Sequence, residues 1–233
     1  MKLKQTLCLS IACLLCLSAG QAQADPITTL FNTGVDAGGA ILPNGTTGDP
    51  HYTLDLAPTG STAVTLIRDA SGGFPFPEYF SGSTLSQWIG PNNDTSLNSP
   101  IGDYIYSTTF TLTGFDPLLA QVTGGWATDN NGVDILINGH SLSSTTPFNS
   151  FSTAFTPFSI PLGSPFFSGG LNTLQFIVHN GSISGPDGTD PTANPTALRV
   201  EMIGTASVPE PASLLLLGSG LVVLAAWRRK HTA

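Results

Sequence analysis

Over residues 104–112 the chain reads YIYSTTFTL, with apolar side chains at most even positions and serine or threonine at most odd ones. Successive side chains of an extended strand point to opposite faces, so this period of two predicts a strand buried on one side. The same alternation recurs at Leu174, Phe176 and Val178 within 172–180, and at Leu198, Val200 and Met202 within 197–203. It recurs again at Phe158, Ile160 and Leu162. Residues 25–206 contain no long 3.6-residue periodicity, heptad or fixed-length repeat. The 26 glycines and 18 prolines of the chain fall mainly between the alternating runs, where turns need positive φ or a missing donor.

Two tight reversals are predicted. One is Asp129-Asn130-Asn131-Gly132, between a strand ending near Thr128 and a strand over 133–137. The other is Asn138-Gly139, the pair that favours a type I′ hairpin. Many short strands with turns every ten or so residues predict an all-β fold, an antiparallel β-sandwich or jelly roll over residues 25–207. Residues 181–195 are rich in Pro, Gly and Asp and read as a long loop rather than a linker, because a strong strand follows. The predicted core face holds Tyr106, Phe110, Leu112, Phe176, Val178, Leu198 and Val200.

The two ends break this pattern. Lys2 and Lys4 precede an apolar run over 7–17, and Ala22-Gln23-Ala24 closes it, which predicts a secretory signal peptide over 1–24 with a helical core. That run is too short to span a bilayer, which takes about twenty residues as a helix. Cys8, Cys13 and Cys16 are the three cysteines of the chain and all lie inside it. Disulfides, cysteine nucleophiles and cysteine-held zinc are thereby excluded from the exported part. Between Asp25 and Val208 the only cations are Arg68 and Arg199, against fourteen Asp and Glu. Binding to nucleic acid or to anionic headgroups rests on clustered Lys and Arg, so neither is an expected partner.

At the other end, residues 212–227 are sixteen residues without a charge, followed at once by Arg228, Arg229 and Lys230. As a helix they rise about 24 Å, short of the roughly 30 Å hydrocarbon core, so they would span only where the bilayer thins. The cationic stop places this end in the cytoplasm and the domain outside it. Pro209 and Pro211 bracket Glu210, which keeps the backbone before the helix out of any regular ladder. Val208-Pro209-Glu210-Pro211, a short apolar helix and a basic tail, in that order over 208–233, resemble the PEP-CTERM sorting signal. The resemblance implies recognition by exosortase, an inner-membrane enzyme of Gram-negative bacteria that make exopolysaccharide. It also implies transient membrane anchoring, loss of the tail, and delivery to the cell surface or extracellular matrix. A second, looser resemblance lies in Gly125-Trp126-Ala127-Thr128-Asp129-Asn130, Ile135-Leu136-Ile137-Asn138-Gly139, Gly170-Leu171-Asn172-Thr173-Leu174 and Leu198-Arg199-Val200-Glu201. That order is similar to galactose-binding-like jelly rolls, which include many carbohydrate-binding modules. It covers 104–206, while the residues before 104 match by β-pattern alone.

The exported part holds no H-E-x-x-H, no G-x-S-x-G, no phosphate loop and no dinucleotide fingerprint. His51, His140 and His179 are scattered without metal-like spacing. Asp129, Asn131 and Asp134 crowd oxygen atoms around one turn, as calcium would require, but the same residues are good turn chemistry, and that reading is preferred. Trp88 is the candidate flat surface for a sugar ring, whereas Trp126, flanked by small residues in a strand, is expected in the core. The expected function is a noncatalytic surface or exopolysaccharide-matrix protein that contacts carbohydrate. A polysaccharide-active enzyme and a purely structural matrix protein are the alternatives.

Overall fold

The computed structural model describes residues 24–59, 65–66, 79–81, 83–91, 98–148, 150–181, 195–209 and 212–231. The expected signal peptide lies outside them except for Ala24. In chain order the strands are β1 (Ala24–Pro26), β2 (Tyr52–Leu56), β3 (Thr65–Leu66), β4 (Ile89–Gly90), β5 (Gly102–Thr111) and β6 (Gln121–Asp129). They continue as β7 (Asn131–Ile137), β8 (His140–Ser141), β9 (Thr156–Ile160), β10 (Leu171–Asn180) and β11 (Ala197–Ser207). A short helix α1 (Ser150–Thr153) precedes β9, and α2 (Ala212–His231) follows β11.

Two antiparallel sheets result. The first runs β3-β4-β11-β6-β9 and the second β2-β5-β10-β7-β8. The segment before residue 104 completes both: β2 pairs with β5, and β4 pairs with β11. The long ladders set the register, with Phe176 opposite Tyr106 and Val200 opposite Trp126. All seven predicted core residues are buried, and they pack in one cluster with Trp126, Phe158 and Ile135 from both sheets. Alternation is cleanest along β10, where Asn172, Leu174, Phe176, Val178 and Asn180 are buried and the residues between them are not.

The sequence reading needs two corrections here. Residues 129–132 do not close a hairpin: β6 belongs to the first sheet and β7 to the second, so the stretch carries the chain from one sheet to the other. Its Asp129–Asn130 peptide is cis. Side chains hold the crossing, with Gly132 N–H donating to Thr146 Oγ1 at 2.7 Å and Gly181 N–H to Asn130 Oδ1 at 2.7 Å. The period-two pattern of β6 and β7 is satisfied equally by strands that face each other and by strands side by side. Leu162 is the second correction, at 58% exposed. β9 ends at Ile160 because Pro161 has no N–H to continue the ladder. The Asn138-Gly139 hairpin forms as expected, with φ of 51° and 82° and Ile137 opposite His140.

Residues Pro26–Ala206 form one compact unit, and α2 belongs to another. α2 is 20 residues long and carries Arg228, Arg229, Lys230 and His231 in its last turn. Among the described residues no helix is long and apolar enough to cross a membrane.

Truncating Phe176 to alanine empties the space between the sheets, so the variant is expected to lose about 3–5 kcal/mol of stability. Urea unfolding of residues 25–207 measures this, and a loss below about 1 kcal/mol would contradict the packing described.

Candidate functional site

Three clusters and one tail stand out once the sheets are in place. The first cluster covers part of the outer face of the first sheet. Gly125 and Ala127 point outward from β6, and their small size admits other side chains: a Cβ added at Gly125 would stand 2.7 Å from Phe155 Cβ. Tyr79, Trp88, Ala127 and Ala197 form a second buried cluster there, joined by Phe80, Phe151 and Phe155. Trp88 is therefore 1% exposed, packed against Tyr79 at 4.7 Å and Phe80 at 5.2 Å, with its Nε1–H donating to Phe80 O. The reading of Trp88 as a sugar-stacking surface is corrected: the segment 79–91 folds back over the sheet and buries the ring.

The same segment is clamped by Arg199, which sequence reasoning passed over. Its guanidinium is 1% exposed and lies between the rings of Phe80 and Phe155, 5.0 and 5.1 Å from their centroids. Nε donates to Ser86 Oγ at 2.7 Å, Nη1 to Ser81 O at 2.6 Å and Nη2 to Glu201 Oε1 at 3.1 Å. Ser83 and Ser86 hydroxyls donate to the same carboxylate oxygen. Burial pulls the guanidinium below its ordinary range while Glu201 opposes that pull. The available signal was its rarity: one of two cations in an acidic domain, at a strand position facing away from the core.

The second cluster sits at the crossing between the sheets. Tyr79 O–H donates to Asp129 Oδ2 at 2.6 Å, Asn130 Nδ2 donates to Asp129 Oδ1 at 2.7 Å, and Thr196 Oγ1 donates to the Asp129 carbonyl. Burial pushes the Asp129 carboxyl up to about 7, and the Tyr79 hydroxyl works against that rise. Two of the residues expected to hold calcium also make these hydrogen bonds. Asn131 Nδ2 donates to Gly181 O, while the Asp134 carboxylate accepts from Ser141 Oγ and from the Ser144 and Ile135 amides. Among the described residues no group of three or more His, Cys, Asp or Glu is placed to hold a metal ion. Asp129, Asn131 and Asp134 thus make hydrogen bonds within and beside the crossing between the sheets.

The outer face of the second sheet is polar and pre-arranged. Ser107 Oγ donates to Asp55 Oδ2 at 2.5 Å, Thr53 Oγ1 to Asp55 Oδ1 at 2.8 Å, and Gln175 Nε2 to Ser107 Oγ at 3.4 Å. His179 Nδ1 pairs with Asp103 at 2.7 Å along the same face. His51 stacks on Phe31 at 3.6 Å and His140 on Phe166 at 4.6 Å, so the three histidines remain apart.

The molecule is therefore a β-sandwich followed by an exposed Val208-Pro209 and an apolar helix with a basic end. Glu210 and Pro211 lie outside the described residues. A family model of the PEP-CTERM protein-sorting motif matches residues 207–230, and the chain carries that motif. Comparison with curated protein sequences finds no match. Among solved structures, a family 35 carbohydrate binding module from Clostridium thermocellum is 12% identical over 62% of this chain and 88% of that one, with a TM-score of 0.33. Another from Paenibacillus barcinonensis is 17% identical over 66% and 92%, at 0.32. A β-glucuronidase from Ruminococcus gnavus is 14% identical over 47% of this chain but only 20% of its own, at 0.28. The two-sheet topology itself stands on the strand pairing of this chain.

Removing Arg199 leaves Glu201, the Ser86 hydroxyl and the Ser81 carbonyl without their common partner. Arg199→Met is expected to cost about 2–3 kcal/mol, less than a fully buried pair because Glu201 is partly exposed. Thermal unfolding together with limited proteolysis within 79–91 reads this, and unchanged stability would remove the clamp.

The Asp129 carboxyl binds its proton more tightly folded than unfolded. Its contribution to stability is full below about pH 4 and is lost as pH rises towards 7, with a slope of at most about 1.4 kcal/mol per pH unit. Asp49, raised chiefly by burial, adds in the same direction. Asp129→Asn should flatten the fall between pH 4 and 7 in chemical unfolding, and an unaltered slope would contradict the burial described.

Proposed function

We propose that this is an exported, noncatalytic β-sandwich that exosortase releases from an inner-membrane anchor to the cell surface or exopolysaccharide matrix. The observation that carries the reading is the sorting motif over 207–230. The Leu- and Val-rich helix and its basic last turn supply an anchor that holds until processing, and its short uncharged run makes that hold marginal. The membrane-spanning role, the Gram-negative setting and the loss of the tail belong to this proposal.

Contact with polysaccharide is assigned to the outer face of the second sheet. The buried Ser107 hydroxyl holds exposed Asp55 and half-buried Gln175 there, so hydroxyl-rich ligands meet a positioned acceptor and donor. Calcium enters the proposal only as a ligand-linked ion, to be tested by adding chelator to the binding assay.

Two measurements check the proposal. With Glu210→Ala, export across the inner membrane should continue under the signal peptide, and the protein should accumulate uncut in that membrane. Mass spectrometry of the released wild type should find no peptide spanning 221–227; recovery of that peptide would sink the sorting reading. Purified residues 25–207 should bind on a glycan array and turn nothing over. Binding should weaken about tenfold in Asp55→Ala, and hydrolysis of any glycan would establish the enzyme alternative instead.

A further inference from the structure

We infer that one end of the sandwich, presenting Leu118, Leu162 and Leu171, rests on the lipid bilayer while the chain is still anchored. The inference depends on α2 being the membrane anchor. The three leucines are 56%, 58% and 67% exposed. Topology brings them together from distant parts of the chain. Leu118 lies just before β6, Leu162 just after β9, and Leu171 opens β10 opposite Thr111 at the end of β5. Gly163 N–H donates to Leu118 O at 2.9 Å, and Leu112 N–H donates to Gly170 O at 2.9 Å. A Cβ at Gly169 would stand 4.0 Å from Pro117 Cγ, so the two loops lie against each other.

This is also the end at which β11 delivers the chain towards its tail, since Thr205 pairs with Gln121 at the start of β6. Five residues, 207–211, separate the compact unit from α2. Fully extended, the path from Ala206 to Ala212 reaches about 20 Å. The ten residues of β10 run about 33 Å, so the tether is too short to lead back along the sandwich to its other end. Leu56 and Ile101 are exposed at that far end, at 51% and 40%, and stay out of reach. The tether, rather than apolar character alone, selects the end that faces lipid.

The chemistry of the near end suits an uncharged contact. Residues 112–121 and 161–171 contain a single charge, Asp116, and its carboxylate caps the Leu118 amide at 2.9 Å. Without Lys or Arg, attraction to anionic headgroups plays no part, and the contact is apolar side chains at the boundary of headgroups and acyl chains. Three leucines bind weakly on their own; a 20 Å tether raises the local concentration of bilayer enough to make the contact persistent. Cutting the tail removes that advantage, so the end is released with the domain.

The chain from Asp25 onward has no cysteine, which allows single labels. An environment-sensitive fluorophore is placed separately at Leu162→Cys, Leu56→Cys and Leu221→Cys. The labelled full-length exported chain is reconstituted at high dilution in phosphatidylcholine vesicles. The Leu162 label should lose most of its iodide quenching and gain quenching by brominated lipid, the Leu221 label should do the same, and the Leu56 label should remain open to iodide. If Leu221 is protected and Leu162 is as open as Leu56, the docking inference fails and the anchor reading stands. If Leu221 is open, both fail. Protection of Leu162 that disappears as protein is diluted into more lipid would mean a second copy covers the leucines, which also overturns the inference.

Discussion

The ring of Phe176 meets Tyr52 at 6.3 Å within its own sheet, and Trp126 at 5.9 Å and Phe158 at 6.0 Å across the interior. Those four rings come from four strands, and the rest of the architecture depends on their meeting. β10 is the middle strand of its sheet, and with Phe176 held inside, a slip of one residue would drive every buried side chain of β10 to the surface. The inner face then dictates the outer one: Thr173, Gln175, Ile177 and His179 must face away. The polar row of the second sheet is a consequence of where its hydrophobic row is pinned.

The first sheet is handled differently. Its outer face is not simply left to water, because glycine and alanine on β6 leave room for a second layer of rings. Covering that layer needs the stretches 79–81 and 83–88, which form no helix or strand and whose backbone carbonyls and hydroxyls require partners. Arg199 supplies two of them, at Ser86 and Ser81, and holds Glu201 with a third donor of the same fixed fork. A lysine would offer the same charge without that geometry. In a domain with so few cations, one of the two is buried where it closes this segment.

The crossing at 129–132 ties these halves to each other. One side of it anchors to Tyr79 through Asp129, and the other to Gly181 through Asn130 and Asn131. Asp129, Asn130 and Asn131, the residues at the change of sheet, thus hold the segments around 79 and 181. Burial shifts the Asp129 carboxyl towards its protonated form, while the hydrogen bond from Tyr79 opposes that shift.

Strand positions and core faces were legible in the sequence because period-two alternation is a property of the extended chain itself. Leu174, Phe176 and Val178 share a face whatever they pack against. The Asn138-Gly139 hairpin was legible for the same reason, since positive φ at two adjacent residues is a local demand. The sorting motif was legible because its proline pair, apolar run and basic stop are contiguous. Trp88, Arg199 and Asp129 were not, because their roles depend on which distant segment covers which face. Local patterning likewise carries no information on whether β6 and β7 lie side by side or in opposite sheets. Burial of a ring, the partner of a guanidinium and the protonation of a carboxyl are set by neighbours far away in sequence, and only the packed sandwich brings those neighbours together.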